Sequence, residues 1–171
     1  MGEKKSTTPT KGAGILLYRL KKEKEATTVI KGALQVEEVK KDANWDRIAK
    51  VKELQLGELT AESYEDNYLD DTNAEWKSTS QGAKSAGEMS ITLAWLPGDT
   101  AQQSIVDDFE KGKKTYYMVK YPNGGTRDIF YAWVSSLGKT VPQNETMTRT
   151  VKLTNVGKPS LAENNKAGDE V

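Results

Sequence analysis

Apolar and polar positions alternate with a period of two in several short stretches of this chain, and with a helical period in one. The clearest strand is Glu88–Leu96 (EMSITLAWL), in which Met89, Ile91, Leu93 and Trp95 fall on one face and Ser90, Thr92 and Ala94 on the other. Pro97-Gly98 ends it. Asp99 is then a good N-cap, Gln102 stands three residues on as a capping-box partner, and Ala101, Ile105, Val106 and Phe109 share one face before Gly112. This spacing predicts an amphipathic helix over Thr100–Lys111, packed on a sheet. Thr115–Tyr121 (TYYMVKY) and Ile129–Leu137 (IFYAWVSSL) read as strands joined through Pro122-Asn123-Gly124-Gly125, because Asn-Gly supplies the positive φ angles of a type I′ hairpin turn. Met147–Asn155 (MTRTVKLTN) alternates as the last strand.

Nearer the N-terminus, Ile15–Leu20 reads as the first strand, the β-branched Thr27–Ile30 as a hairpin partner, Leu34–Lys41 as loop or a single helical turn, and Arg47–Leu54 as a strand. The fold class expected is α+β: a mostly antiparallel β-sandwich or barrel of about seven strands with one flanking helix. Trp95, Ile105, Phe109 and Trp133 are its expected core side chains. Residues 1–11 and 159–171 are polar and lack apolar periodicity, so they are expected to be flexible arms around a domain spanning 12–158.

One stretch interrupts the pattern. Between Glu58 and Glu75 lie seven carboxylates (Glu58, Glu62, Glu65, Asp66, Asp70, Asp71 and Glu75) and no Lys or Arg. Like charges at this density repel one another, and Leu59, Tyr64, Tyr68 and Leu69 offer too little apolar surface for a private core. Residues 57–82 are therefore expected to form a long acidic excursion of two irregular limbs around a charged tip. A connection longer than about 12–15 residues in a compact domain is usually functional or disordered. A solvated acidic loop is the plain reading. The costly exposure of Tyr64, Tyr68 and Leu69 favours an arm whose partner lies outside its own fold.

Composition narrows the chemistry. The 171 residues suit one domain with tails, and the absence of cysteine and histidine removes disulfides, thiolate metal sites, Cys nucleophiles and the commonest general base. Twenty-five basic residues balance twenty-five acidic ones, so no net field exists to hold nucleic acid or an anionic membrane. That neutrality hides an acidic middle between basic ends: residues 1–57 hold thirteen basic groups against eight acidic, and residues 76–171 twelve against ten. Such a distribution lets one copy recognise another. No apolar run approaches the roughly 18 residues of a membrane span, and a soluble, intracellular-type chain is expected. Asp70-Asp71 and Asp107-Asp108 are paired carboxylates, but the second pair is expected on the helix surface, and neither makes a convincing acid/base couple or metal site. Gly12-Ala13-Gly14 precedes a strand instead of opening a helix, so it is no phosphate loop. No catalytic site, cofactor or metal is expected.

Several blocks together resemble the major tail tube proteins of lambda-like siphophages: Lys11–Gly14, Asn44–Asp71 (NWDRIAKVKELQLGELTAESYEDNYLDD), Gln81–Gln103 (QGAKSAGEMSITLAWLPGDTAQQ), Phe130–Lys139 (FYAWVSSLGK) and Thr148–Ser160 (TRTVKLTNVGKPS). The resemblance implies a small β-sandwich with a flanking helix, and copies that form six-fold rings stacked into a hollow tube through which viral DNA passes without specific binding. It implies tape measure, terminator and tip proteins as further partners. The places implied are the virion tail and, during assembly, the host cytoplasm. It also implies that the acidic excursion mediates ring stacking through Glu58, Glu62, Tyr64, Glu65, Asp66, Tyr68, Leu69, Asp70 and Asp71. Leu20–Asn44 departs from the family pattern. The appended immunoglobulin-like domain of the lambda protein is not found here, which implies a smooth-sided tube. The alternative class is a carbohydrate- or protein-binding module, with Trp45, Trp76, Trp95 and Trp133 as platforms.

Overall fold

The protein is described here from a computed structural model covering residues 9, 11–21, 44–68, 72, 76–122 and 126–163. Its strands are β1 (Leu16–Leu20), β2 (Trp45–Ile48), β3 (Val51–Gln55), β4 (Thr60–Glu65), β5 (Thr79–Ser85), β6 (Glu88–Ala94), β7 (Lys114–Lys120), β8 (Arg127–Thr140) and β9 (Thr148–Asn155), with helix α1 (Thr100–Lys111) between β6 and β7. Seven of them form one antiparallel sheet in the order β2-β1-β7-β8-β9-β6-β3, while among the described residues β4 and β5 pair only with each other. Among the described residues the architecture is the expected α+β class, mostly antiparallel with one helix. Thr27–Ile30 and Leu34–Lys41 lie outside the described residues.

The stretch Arg47–Leu54, expected as one strand, is two. Lys50 takes a left-handed φ of 58°, which breaks the ladder after Ile48. Only Ala49 and Lys50 separate β2 from β3, yet these strands occupy opposite edges of the sheet. The two edges must therefore approach each other, and the sheet bends round into an unclosed roll with a strand that changes edge at its corner. Lys50 still accepts a hydrogen bond from the Ala94 amide at 3.0 Å, which fastens the corner to β6.

Alternation then fills the inside. Leu17, Ile48, Met89, Ile91, Leu93, Tyr117, Val119, Phe130, Ala132, Val134, Val151 and Leu153 form one cluster, which Ala101 and Ile105 of α1 cover. Burying a side chain of this size contributes about 1.5–3 kcal/mol, so this inner face dominates the stability of the domain. A smaller cluster of Leu20, Trp45, Met118 and Ile129 occupies the other face.

Helix α1 has the predicted limits. Asp99 accepts the Gln102 amide at 3.1 Å, and Gly112 closes the last turn with φ 60°. The reciprocal half of the capping box does not form. Gln102 instead turns its amide into the sheet, accepting from the Leu96 amide at 3.1 Å and donating to the Ala94 carbonyl at 2.9 Å. Asp108, expected on the helix surface, is buried against Arg19 of β1. That pair seats the last turn on Asp108 in place of Phe109, which is 45% exposed, and this corrects the expected apolar face. Trp133 is likewise corrected: its neighbours Ala132 and Val134 point inward, which puts the indole on the outer face, 37% exposed. Trp95 follows the end of β6, half-buried beneath the Lys139 ammonium, which lies 4.4 Å from the ring centre. Of the four expected core residues only Ile105 is fully interior.

β7 and β8 pair in the register set by the expected hairpin, Lys120 opposite Arg127, although residues 123–125 of its turn lie outside the described residues. The chain beyond β9 is clipped to this hairpin. Ser160 bridges Ile129, Leu161 packs on the core, and the Ala162 amide donates to Asp128 Oδ1 at 2.7 Å. The domain thus continues past Lys158 into the stretch expected to be a tail. Asp128 Oδ2 also accepts from the Tyr121 hydroxyl at 2.5 Å. Burial, that hydrogen bond and the carboxylate's charge together push the Tyr121 phenol well above its ordinary range.

Candidate functional site

The acidic excursion is a β-hairpin arm, and its limbs are regular. β4 and β5 pair antiparallel from Thr60 opposite Ser85 to Glu65 opposite Thr79, with a bulge between Ala61 and Ser63. The ladder continues outward through the Asp66 amide to the Ser78 carbonyl at 2.9 Å, and the Ser78 amide donates to Asn67 Oδ1 at 2.8 Å. The expectation of irregular limbs fails because cross-strand hydrogen bonds organise a two-stranded ribbon whose side chains have neither an apolar stripe nor a clean alternation. An isolated two-stranded hairpin is marginal in water, so this one depends on its attachment.

The attachment is closely built. A Cβ on Gly57 would lie 2.2 Å from the Ala86 carbonyl oxygen and 2.7 Å from Asn155 Nδ2, so only glycine fits. Gly87 opposite has φ +63°, and a Cβ there would meet the Glu58 carbonyl oxygen at 2.8 Å. Asn155 of β9 clamps this crossing, donating from Nδ2 to the Ala86 carbonyl at 2.9 Å and from its backbone amide to the Gly87 carbonyl at 3.1 Å. The arm leaves the sheet where β3 ends and β6 begins, held by two glycines and one asparagine.

Every residue of β4 is exposed. Glu58, Glu62, Tyr64, Glu65 and Tyr68 lie on this ribbon or its flanks with open side chains, Tyr64 at 55% and Tyr68 at 67%. Asp66 is half-buried and accepts from the Ser80 hydroxyl at 3.2 Å. Glu65 pairs with exposed Lys77 across the ladder. Leu69, Asp70 and Asp71 lie outside the described residues. Trp76, expected only as a sugar platform in the alternative reading and not as part of the arm's contact surface, is at 80% the most open large hydrophobic side chain among the described residues; an aromatic directly after an acidic block was the available signal.

The opposite end of the same strands is basic. There the register brings Val51, Leu93, Arg149 and Lys139 into one row across β3, β6, β9 and β8. Arg149 is 9% exposed, and its Nε has no hydrogen-bond partner. Sequence reasoning did not single it out, because alternation alone says which face a residue takes and not whether an anion waits there.

Little in the described residues suits a small ligand. Trp45 is buried, Trp95 is covered by Lys139, and Trp76 stands near the arm tip, so they form no shared platform. A cleft lined by Ile15, Leu16, Leu17, Arg47, Ile48, Lys50 and Val51 encloses about 140 Å³. Ligand pockets usually run to about 300–1,000 Å³. Among the described residues no group of three acidic side chains is placed to hold a metal ion, and no helix is long and apolar enough to cross a membrane.

Comparison with known proteins gives a consistent answer. The profile of the family described as "Lambda phage tail tube protein, TTP" matches residues 29–162, more than half of the chain. No curated protein matches. Among solved structures, a subunit from the tail of an empty gene transfer agent particle, refined helically with C6 symmetry, superposes with a TM-score of 0.63 at 15% identity, covering 90% of this chain and 98% of that one. The tail tube of SPP1 superposes with a TM-score of 0.55 at 15% identity, covering 87% and 77%. A chain from the anti-feeding prophage baseplate gives 0.62 at 10% identity, covering 92% and 99%. At these identities the structural likenesses speak for a shared fold.

Proposed function

Because the chain belongs to the lambda phage tail tube protein family, as a structural tube subunit, we propose that its copies form six-fold rings stacked into the hollow tube of a long non-contractile tail, with a structural and not a catalytic role. The C6 symmetry of the gene transfer agent tail supports the ring number. Tape measure, terminator and tip proteins are the further partners, and assembly takes place in the host cytoplasm before the tail joins the virion. The observation that carries the reading is the β4–β5 arm: a ribbon with all of β4 open to solvent, rooted through glycines that fit no other residue. A single domain gains nothing from such an arm. In a stack of copies it reaches the next subunit.

DNA passes through the tube without specific binding, so the channel wall needs few cations, since each neutralised phosphate adds to a hold that a sliding strand must break. The outer face of β3, β6, β9 and the C-terminal half of β8 suits this role. It presents Glu53, Gln55, Glu88, Ser90, Thr92, Ser136, Thr150, Lys152 and Thr154, mostly hydroxyls with charges of both signs.

Gly57 and Gly87 sit side by side, so a short Gly/Ser connection can replace residues 58–85 and leave buried Ala86 in place. The shortened protein is expected to keep a cooperative melt near the wild-type temperature, to lose only the strand signal of the ribbon in circular dichroism, and to form no tubes by electron microscopy. Normal tubes from it would end the arm reading.

A further inference from the structure

We propose that the acidic arm of one subunit docks on the basic pole formed by Lys139 and Arg149 of the next, so that subunits join head to tail along the strand direction. This rests on the reading of the arm as an inter-subunit contact and names the surface that receives it. The two features lie at opposite ends of the sheet. The arm leaves at the Glu88 end of β6, and Arg149 stands opposite Leu93 near its other end. At about 3.3 Å per residue the poles are about 20 Å apart on one rigid sheet, facing opposite ways. A contact between unlike ends of identical subunits propagates, which is what a stack requires.

The chemistry of the basic pole calls for an anion. Arg149 is more than nine-tenths buried with Nε lacking any hydrogen-bond partner, although a buried guanidinium is costly unless a carboxylate meets it. The contrast with Arg19 is internal to the fold: that guanidinium is also buried, and Asp108 accepts from both its Nε and Nη2. Lys139, opposite Arg149 in the ladder, adds a second cation held over Trp95. Val141, next to this row, is 66% exposed and offers apolar contact. The arm brings the complement, with Glu62 and Asp66 as carboxylates and Tyr64 as an exposed ring. The other lysine cluster, Lys111, Lys113 and Lys114, stands at the arm's own pole, since Lys114 pairs with Trp133 and Trp133 with Thr154, which is opposite Glu88. It cannot receive an arm from an axially stacked copy.

The test uses Arg149→Met and Lys139→Glu in the full chain. Arg149→Met removes a largely buried cation whose Nε is unpartnered and keeps most of the volume, so its melting temperature is expected to equal or exceed wild type while tube yield by electron microscopy falls at least tenfold. A merely structural arginine would instead lower the melting temperature, and that result overturns the proposal, as do normal tubes from both variants. The absence of native cysteine makes crosslinking clean. In tails assembled from the variant subunit, a short bismaleimide is expected to link Glu62→Cys to Lys139→Cys between subunits and to leave Glu62→Cys with Lys113→Cys unlinked. The reverse pattern overturns this docking site while keeping the arm as a contact. Normal tubes from the armless protein overturn the arm reading itself.

Discussion

The Arg19 guanidinium meets the Asp108 carboxylate edge to edge inside the domain, Nε to Oδ2 at 2.7 Å and Nη2 to Oδ1 at 2.8 Å, with Nη1 donating to the Leu20 carbonyl at 2.6 Å. Both side chains are essentially inaccessible to solvent, and they tie the last turn of α1 to β1, elements 89 residues apart in the chain. Removing one partner leaves the other charge buried and unpaired, so Asp108→Ala is expected to cost about 3–5 kcal/mol. Replacing both with apolar residues, as in Arg19→Met with Asp108→Leu, leaves no orphan charge and is expected to cost much less than either single change. Urea unfolding of the three variants checks this; equal losses in single and double variants would mean that the pair contributes net stability.

Gly57 carries the arm's root. With a Cβ 2.2 Å from the Ala86 carbonyl oxygen, Gly57→Ala forces apart a crossing that Asn155 clamps. The strain falls on backbone, which cannot rotate away, so a loss of about 1–3 kcal/mol is expected, of the size of overpacking elsewhere. Hydrogen exchange separates this from a global effect: the β4–β5 amides are expected to lose protection first. Gly98, with nothing within 4 Å of a Cβ, is the control, and Gly98→Ala is expected to leave exchange at the arm unchanged.

How much of this was legible in the sequence depends on what each residue must satisfy. Alternation at Met89, Ile91 and Leu93 requires only that one face be apolar, and it located β6 and its inner face. The cap at Asp99 and the stop at Gly112 are local chemistry, and they gave α1 its limits. The acidic block marked the arm, because charge at that density excludes a place in the core. Phe109 and Trp133 misled because large aromatic side chains do not report which face they take. Asp108 and Arg149 were out of reach for another reason. Their environments are set by strands distant in sequence, and nothing within three or four residues of Asp108 shows that Arg19 waits opposite. Lys50 hid a sheet corner inside an apparently continuous strand, since its positive φ has no signature in a lysine.

The Tyr121–Asp128 contact makes the clip of the C-terminal segment sensitive to alkali. Burial is the main cause of the raised Tyr121 pKa, followed by its hydrogen bond to Asp128 and that group's charge. Tyr116 is raised as well, by burial and then by Tyr131, whose ring centre is 4.7 Å away. A folded-state value above the unfolded one means that the native chain holds the proton more tightly. The stabilisation is therefore complete below about pH 10 and declines as pH rises past it. Melting temperature is expected to be flat from pH 7 to 9 and to fall above 10, with a shallower fall in Tyr121→Phe. Identical alkaline slopes in the two proteins would show that Tyr121 plays no part.

Ile105 and Phe109 lie one helical turn apart and are expected to respond unequally to truncation. Ile105 is 1% exposed within the main cluster, so Ile105→Ala opens a cavity and is expected to cost about 2–5 kcal/mol. Phe109 is 45% exposed, and Phe109→Ala is expected to leave the monomer within about 1 kcal/mol of wild type, because a half-open side chain leaves no void behind. Thermal melts of the two purified variants decide between this and a helix seated on its aromatic face, in which the losses would be comparable. Trp133→Ala belongs with Phe109 in the monomer, since its indole lies on the outer face. If either aromatic is covered in the tube, its variant will melt like wild type as a monomer and assemble poorly. Running electron microscopy beside each melt therefore separates packing within the domain from packing between copies.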